Sequence, residues 1–482
     1  MKDAGEAVLF RIKLKAMPGF HIENFGCRAA RADGEAVSER LRAAGHCVQQ
    51  LSDANVVVVN TCSVTAEADR QARAFIRRAH RNNPDARIVV TGCYAQRAPA
   101  ELAAITGVTA VVGNSHKALA PEIIQGLAGG SLGLACSGAS DTARPALVNV
   151  SSLLMGGVPV WADDRFAHSF LEDAQVVPGA QTRPNLKIQE GCGNRCTFCV
   201  IPFTRGPSKS LPHAVVMRQV AGFVTAGGKE LVLSGINLGR WGRDVAAPGQ
   251  TLARLVREIL ERTELPRLRL SSIEPMDWDG ALIGLMAEFG GGRLARHAHL
   301  PLQSGSDAVL RRMHRRYRPW HYAEKVEALA RATGPELTLG ADVMVGFPGE
   351  TDAEFEETVA MVRALPFGYL HLFPFSPRPG TRGWALHAEN PVAPEAVEER
   401  MAALRALAAE KADAHRRQFV GRELEAITLH TPAALASRGR TAALTENFLA
   451  VEIGSRHSAN ELSRVRVTSL NPDGVLEGCA TA

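Results

Sequence analysis

The sequence predicts an α/β chain in three parts: an N-terminal parallel α/β domain, a partial (β/α)6 barrel, and a small OB-like β-barrel at the C-terminus. Three observations carry this. Short apolar runs alternate with helical patterns over residues 19–116, which implies a parallel sheet with helices on its faces. The alternation resumes near Asn185 for six strand–helix units, too many for a small sheet and too few for an eightfold barrel. After residue 414 the pattern turns to strands of alternating polarity separated by Gly, Asn and Ser turns. The expected boundaries are 17–130, 131–183 as a linker rich in Gly, Ser, Asp and Pro, 184–414, and 415–482.

Bulk properties agree. The chain has 482 residues, 46% apolar, with a formal charge of +5, enough for about three domains at roughly 100–200 residues each. No apolar run approaches the roughly 18 residues that span a bilayer. The N-terminus mixes acids into a broken apolar stretch, unlike a secretory signal. A cytoplasmic protein with no membrane partner is expected. Residues 1–16 add charge but no periodic core, so a chain starting at Met17 is expected to suffice. In a reducing compartment nine cysteines argue for metal rather than disulfides.

In the first part, "FHIENFG", "ANVVVVN" and "ARIVVTG" read as strands. "DGEAVSERLRAAG" and "TAEADRQARAFIRRAHRN" read as helices, the first with Asp33 as its expected cap. Cys27, Cys62 and Cys93 each sit one or two residues past a strand end. In parallel sheets ligands bind beyond the carboxyl ends of strands, so these thiols are expected along one edge as metal ligands. Three separately buried cysteines are the alternative. Cys47, Cys136 and Cys479 lack this placement and read as structural.

In the second part the strands are "NLKIQE", "KELVLSG", "RLRLSSI", "HAHLPL", "ELTLGADVMVG" and "GYLHLFPF". Polar residues gather at their ends: the cysteine loop, Ser234–Asn237, Ser272, Glu274, Gln303, Ser304 and Asp342. The loop "EGCGNRCTFCVIP" packs Cys192, Cys196 and Cys199 into eight residues. A tetrahedral zinc would need a fourth ligand, and His213 is the nearest histidine. A four-iron cluster on three thiolates would keep one iron open, the arrangement of a catalytic centre. From Arg293 to Trp320 there are seven arginines and one acid, Asp307, compatible with a nucleic-acid face or a solvated helix face.

In the third part "LEAITLH", "FLAVEIG" and "RVRVTSL" follow the helix "VEERMAALRALAAEKADAHRRQFV". His415, Arg416, Arg417 and Arg422 stand at its entrance as candidate RNA contacts. A scaffold closing the barrel is the other reading.

The C-x-x-x-C-x-x-C loop with Phe198 before its last cysteine resembles the radical S-adenosylmethionine (SAM) superfamily. "KIQEGCGNRCTFCVIPFTRGPSKS", "HAHLPLQSGSDAVLRRMHRRY", "GADVMVGFPGETDAEFEET", "VVNTCSVTAEADRQAR" and "VVTGCYAQ" resemble the methylthiotransferase family within it, in order, over nearly all of residues 19–480. The resemblance implies a radical SAM cluster on Cys192, Cys196 and Cys199 and a second [4Fe–4S] cluster on Cys27, Cys62 and Cys93. It implies SAM contacts from Phe198, Asn237 and Glu274, and a C-terminal TRAM module that grips RNA. The implied partners are a tRNA anticodon stem-loop, an electron donor such as flavodoxin or ferredoxin, and a sulfur donor.

"NTCSVTAEADRQAR", "RLRLSSIEP", "LHLFPFSPRPGT" and "LTENFLAVEI" resemble most the group acting on N6-threonylcarbamoyladenosine. Isopentenyladenosine in tRNA and a ribosomal-protein aspartate are the family's other targets. A non-catalytic iron–sulfur RNA-binding redox sensor is the reading from another class. One departure stands out: the family places Asn three residues after its first cysteine, and here the text is "GCRAARADGE".

Overall fold

The computed structural model describes residues 19–128, 157–170, 175–178, 181–245 and 249–481. Residues 1–16, Cys136 and most of the expected linker lie outside them.

The N-terminal sheet holds β1 (Gly19–Asn24), β2 (Cys47–Val48), β3 (Val56–Thr61), β4 (Arg87–Gly92), β5 (Val108–Gly113) and β6 (Val160–Trp161), in the order β2-β1-β3-β4-β5-β6. Every pairing is parallel. Val56 to Val59 are fully buried, as a strand covered on both faces requires, and separate apolar clusters fill the two faces. The pair β6 falls inside the span expected to be linker. It adds a sixth strand beside β5.

The barrel is built from β7 (Asn185–Glu190), β8 (Lys209–Ser210), β9 (Glu230–Gly235), β10 (Arg267–Leu270), β11 (His297–His299), β12 (Thr338–Val345) and β13 (Phe367–Pro374). They form two sheets, β10-β9-β7-β8 and β11-β12-β13. Leu268 and Leu294 bridge the gap between them, and Ile273 N–H reaches His299 O at 3.0 Å. Six of the strands run parallel and only β8 is antiparallel, which gives the partial (β/α)6 barrel.

A 24-residue helix, Pro394–Arg417, leads to the closed module β14 (Glu423–Thr428), β15 (Thr441–Thr445), β16 (Ala450–Ile453), β17 (Leu462–Leu470) and β18 (Leu476–Thr481). The turn between β15 and β16 docks on the starts of barrel strands. Arg296 Nη2 pairs with Glu446 at 2.6 Å, Arg269 Nη2 donates to Thr445 O, and Asn447 Nδ2 donates to Glu336 O. The Phe448 ring stands 4.4 Å from that of His297. This contact supports a wall-forming role for the module.

Two expectations need correction. Asp33 caps nothing: its helix runs Arg28–Ala43 with Cys27 at the cap, and Asp33 is buried one turn in, held by Lys117, Lys187 and Arg205. The arginines of 293–320 do not act as one surface: Arg311 and Arg316 are exposed, but the others are engaged. Arg293 donates to the carbonyls of Leu265 and Thr263, Arg312 pairs with Glu354, and Arg315 is buried in the barrel.

Candidate functional site

Cys27, Cys62 and Cys93 follow β1, β3 and β4, neighbours in one parallel sheet, so the register brings them together. Asn24 pairs with Asn60, and Thr61 with Gly92. The close approach depends on two glycines. Gly26 has φ +97°, and a Cβ there would stand 2.6 Å from Cys62 Sγ. Gly92 has φ +99°, and a Cβ there would stand 2.3 Å from Thr61 O. Any other residue would be strained at both places and would push the thiols apart.

Cys62 and Cys93 are buried and Cys27 is exposed. Asn114 Nδ2 donates to Cys93 Sγ at 3.4 Å and Val64 N–H to Cys62 Sγ at 3.5 Å. Burial pushes the Cys62 thiol up to about 12, with Cys93 and Cys27 adding to the rise. At the family's missing Asn stands Ala30, whose carbonyl accepts from Asn60 Nδ2, itself 2.9 Å from Asn24 Oδ1. Asn60 and Asn24 thus brace the loop.

The other triad sits in the loop after β7. Thr197 anchors it, its N–H to Met313 O at 3.1 Å and its Oγ1 to Arg312 O at 3.0 Å. Asn237 Nδ2 donates to Cys192 Sγ at 3.5 Å, and Arg315 Nη1 to Cys196 Sγ at 3.2 Å. Arg315 Nη2 in turn pairs with Glu274 at 2.6 Å. Burial pushes the Cys199 thiol up to about 12. Around this loop Ser234 Oγ, Asn237 Oδ1 and Gln303 Oε1 are buried with no partner, as polar atoms awaiting a ligand would be. Phe198 packs partly buried against the barrel core.

Between the triads lies a buried group of five charges. Lys117 Nζ pairs with Asp33 at 2.7 Å and Glu190 at 3.2 Å; Lys187 pairs with Glu190 at 2.6 Å. Arg205 Nη1 pairs with Glu190 at 2.8 Å and Asp33 at 3.0 Å. Three cations face two carboxylates. The surplus sits on Arg205, whose Nε and Nη2 are buried without partners. Burial opposes its charge, but Cys93, Glu190, Asp33 and Cys27 hold its pKa well above the ordinary value. Arg205 ends the short helix Ile201–Arg205 that follows the second triad's loop, while its charge acts on the first triad.

Neither triad is gathered for one zinc ion. With Zn–S about 2.3 Å, three thiolates on zinc would stand about 3.8 Å apart. Among the described residues, the group of three or more candidate ligands whose atoms all lie within 4.8 Å of one another is His299, Asp342 and His371. There both imidazoles contact the single oxygen Asp342 Oδ1 at 3.2 Å, on the inner wall of the barrel. Asp342 lies within β12 and not at its end with the cysteine loop, so it stands apart from the strand-end residues.

Sequence reasoning missed Arg205 and placed Arg315 in a basic run. The available signal was position: Arg205 is six residues past Cys199. His415 was expected to face RNA. It turns inward instead, 2.9 Å from Thr338 Oγ1, and burial lowers its pKa to about 4. Arg416 is paired with Asp413 at 3.1 Å and Arg422 with Glu336 at 3.4 Å, while Arg417 is exposed. Among the described residues no helix is long and apolar enough to cross a membrane.

Residues 19–113 match the uncharacterized protein family UPF0004, and residues 186–362 match the radical SAM superfamily. The chain is 34% identical over 94% of its length to threonylcarbamoyladenosine tRNA methylthiotransferase MtaB of Bacillus subtilis, covering 94% of that protein. It is 32% identical to the protein of that name from Thermotoga maritima, over 95% of this chain and 96% of the other. It is also 32% identical to a tRNA-2-methylthio-N(6)-dimethylallyladenosine synthase of Cereibacter sphaeroides, over 94% of this chain and 97% of the other. Among solved structures, the radical SAM methyltransferase TsrM of Kitasatospora setae shares the fold, with TM-score 0.54 at 17% identity over 74% of each chain.

Proposed function

This chain belongs to the radical SAM methylthiotransferases, and from that premise we propose that it adds a methylthio group to C2 of the N6-threonylcarbamoyladenosine beside the anticodon of tRNA. The observation that carries the substrate is the set of relatives bearing that activity in their names, 34% and 32% identical over nearly the whole chain. The dimethylallyladenosine synthases, at 32% identity, support the second reading. Work on tRNA would place the chain in the cytoplasm, drawing electrons from a flavodoxin- or ferredoxin-like donor.

The donor sets fit two iron–sulfur clusters. Several thiols, two of them raised to about 12, coexist as thiolates only around a cation. Cys192, Cys196 and Cys199 would hold one cluster, leaving a ligand position for SAM, and Cys27, Cys62 and Cys93 the other. When bound, the clusters and SAM supply the electron, the 5′-deoxyadenosyl radical and the sulfur and methyl groups that an inert aryl C–H requires.

The protein's own part is positioning. Asn237 and Arg315 donate to Cys192 and Cys196, which stabilises thiolate charge and raises a cluster's potential. Glu274 holds Arg315 in place and lies beside the Cys192 loop. Asn237 Oδ1 and Gln303 Oε1 are unpaired acceptors available to the ammonium or hydroxyl groups of SAM. Phe198 supplies an apolar edge to the same loop. Arg205 sets a fixed positive charge against the first triad.

Nucleoside mass spectrometry on tRNA from cells with and without the gene tests the substrate. The expected result is loss of 2-methylthio-threonylcarbamoyladenosine in the deletion. Loss of methylthio-isopentenyladenosine instead would replace the substrate and leave the chemistry. Reductive cleavage of SAM by reconstituted protein separates the enzyme from an RNA-binding redox sensor.

A further inference from the structure

Cys27 is followed by Arg28, and this guanidinium forms no hydrogen bond or ion pair with another described residue. Its Cζ lies 5.5 Å from the centroid of the Phe448 ring, and the Cζ of Arg269 lies 5.4 Å from the same ring. Two cations thus share one aromatic ring. Phe448 holds φ +71°, a costly backbone for a residue with a side chain. The turn accepts that conformation while its ring enters the barrel beside His297 and Tyr369.

The local charges do not balance. Arg269 is fully buried; its Nε pairs with Glu230 and its Nη1 has no partner. Arg183 reaches the same Glu230 only at 3.6 Å, and its Nε is also buried and unpaired. Glu230 also touches Arg267 at 3.3 Å, but Arg267 has a second carboxylate in Glu425, so the guanidiniums left to share Glu230 alone are those of Arg269 and Arg183. Asp342, the carboxylate whose charge acts on Arg28, is engaged by His299 and His371. A cavity of about 310 Å³ opens here, lined by Cys27, Arg28, Arg31, Gln181, Arg183 and Asn185. Buried guanidinium donors left unpaired cost stability unless a ligand completes them, and their planar forks match a carboxylate.

The covalent structure of the substrate points to the same place. In adenine, C2 and the carbon bearing N6 flank the same ring nitrogen. A C2 presented to the Cys27 triad therefore brings the N6 substituent within reach of the next residue. On threonylcarbamoyladenosine that arm ends, a few bonds on, in a carboxylate; on isopentenyladenosine it is a neutral hydrocarbon.

Resting on the substrate reading above, we propose that Arg28, backed by Arg269 and Arg183, receives the carboxylate of the threonylcarbamoyl group and selects for adenosines that carry it. Arg28 reaches the anion from the cavity side, while Arg269 and Arg183 supply fixed positive charge behind it. A neutral arm gives the buried, unpaired donors of Arg269 and Arg183 no anion and covers the exposed Arg28 without pairing it, which is how the subsite rejects it.

The test uses full-length, reconstituted enzyme and three anticodon stem-loops: one with threonylcarbamoyladenosine, one with its carboxylate converted to the amide, one with isopentenyladenosine. Wild type should prefer the acid to the amide by about tenfold or more in kcat/KM. Arg28→Gln should raise KM for the acid by about tenfold and bring the acid-to-amide ratio near one, while Arg28→Lys keeps most of the preference. Iron per chain and the cluster absorption spectrum report loading on the same samples. A wild type that turns over the amide as well as the acid overturns the proposal without any variant. An Arg28→Gln enzyme that keeps the full preference overturns it too, and leaves the substrate reading standing. Turnover of the isopentenyl stem-loop alone, with neither threonyl form accepted, removes both.

Discussion

The two cysteine triads reach similar surroundings by opposite routes. Cys192, Cys196 and Cys199 come from one loop of eight residues, whereas Cys27, Cys62 and Cys93 come from three strand ends that only the sheet register unites. Each triad has an asparagine donating to a sulfur, Asn237 or Asn114, and each has a buried arginine, Arg315 or Arg205. The arginine beside the distributed triad is lent by the short helix that follows the other triad's loop. A cluster on the loop triad would depend on local chain geometry; one on the sheet triad would depend on the whole domain and on its docking to the barrel.

Removing either triad should break the comparison most sharply. Anaerobically reconstituted wild type should carry about eight irons, two cubanes. Ala at Cys192, Cys196 and Cys199 should leave about four and abolish SAM cleavage. Ala at Cys27, Cys62 and Cys93 should also leave about four, keep SAM cleavage and abolish the methylthio product. Zinc and no iron in purified wild type would end the assignment of both sites.

Next in size is a backbone change that separates the two routes. Gly92→Val places a Cβ against Thr61 O at a positive φ and should cost about 2–4 kcal/mol. Iron at the distributed triad should fall while the loop triad loads normally, read by iron content and the urea midpoint. Equal loss at both would show that loop and sheet are not independent.

The shared charge group is the link between them. Glu190→Gln leaves three buried cations on one carboxylate and should cost about 3 kcal/mol. Because Glu190 ends β7 and Asp33 lies in the N-terminal domain, loading of both triads should weaken together.

Far from either triad, His415 should give the smallest effect. Burial lowers its pKa from the usual 6.5 to about 4, so the folded chain holds it neutral where the unfolded chain would protonate it. Its contribution is present above about pH 6.5 and is lost as pH falls toward 4, about 1–2 kcal/mol by pH 5. His415→Gln should flatten that part of the stability profile without moving iron content at either triad.

Much of this architecture was legible beforehand because it is local. Strand ends preceding Cys27, Cys62 and Cys93, the spacing of Cys192 to Cys199, and the change to alternating strands after Arg422 all lie within a few residues of chain. The module's β15 and β18 were missed, since Thr441–Thr445 and Leu476–Thr481 are short and partly polar and gain their pairing only from closure of the barrel.

By itself the sequence determined which segments bury a face and which loops carry sulfur, because apolar periodicity and ligand spacing act over one or two turns of chain. Tertiary structure alone decided where the charges went. Asp33, read as a cap, became the counterion of Lys117, Lys187 and Arg205; Arg315, read within a basic run, became a donor to Cys196. The partners lie far apart in sequence, up to 172 residues for Arg205 and Asp33. A buried charge is stable only beside its opposite, and which opposite is near depends on how the sheet and the barrel dock.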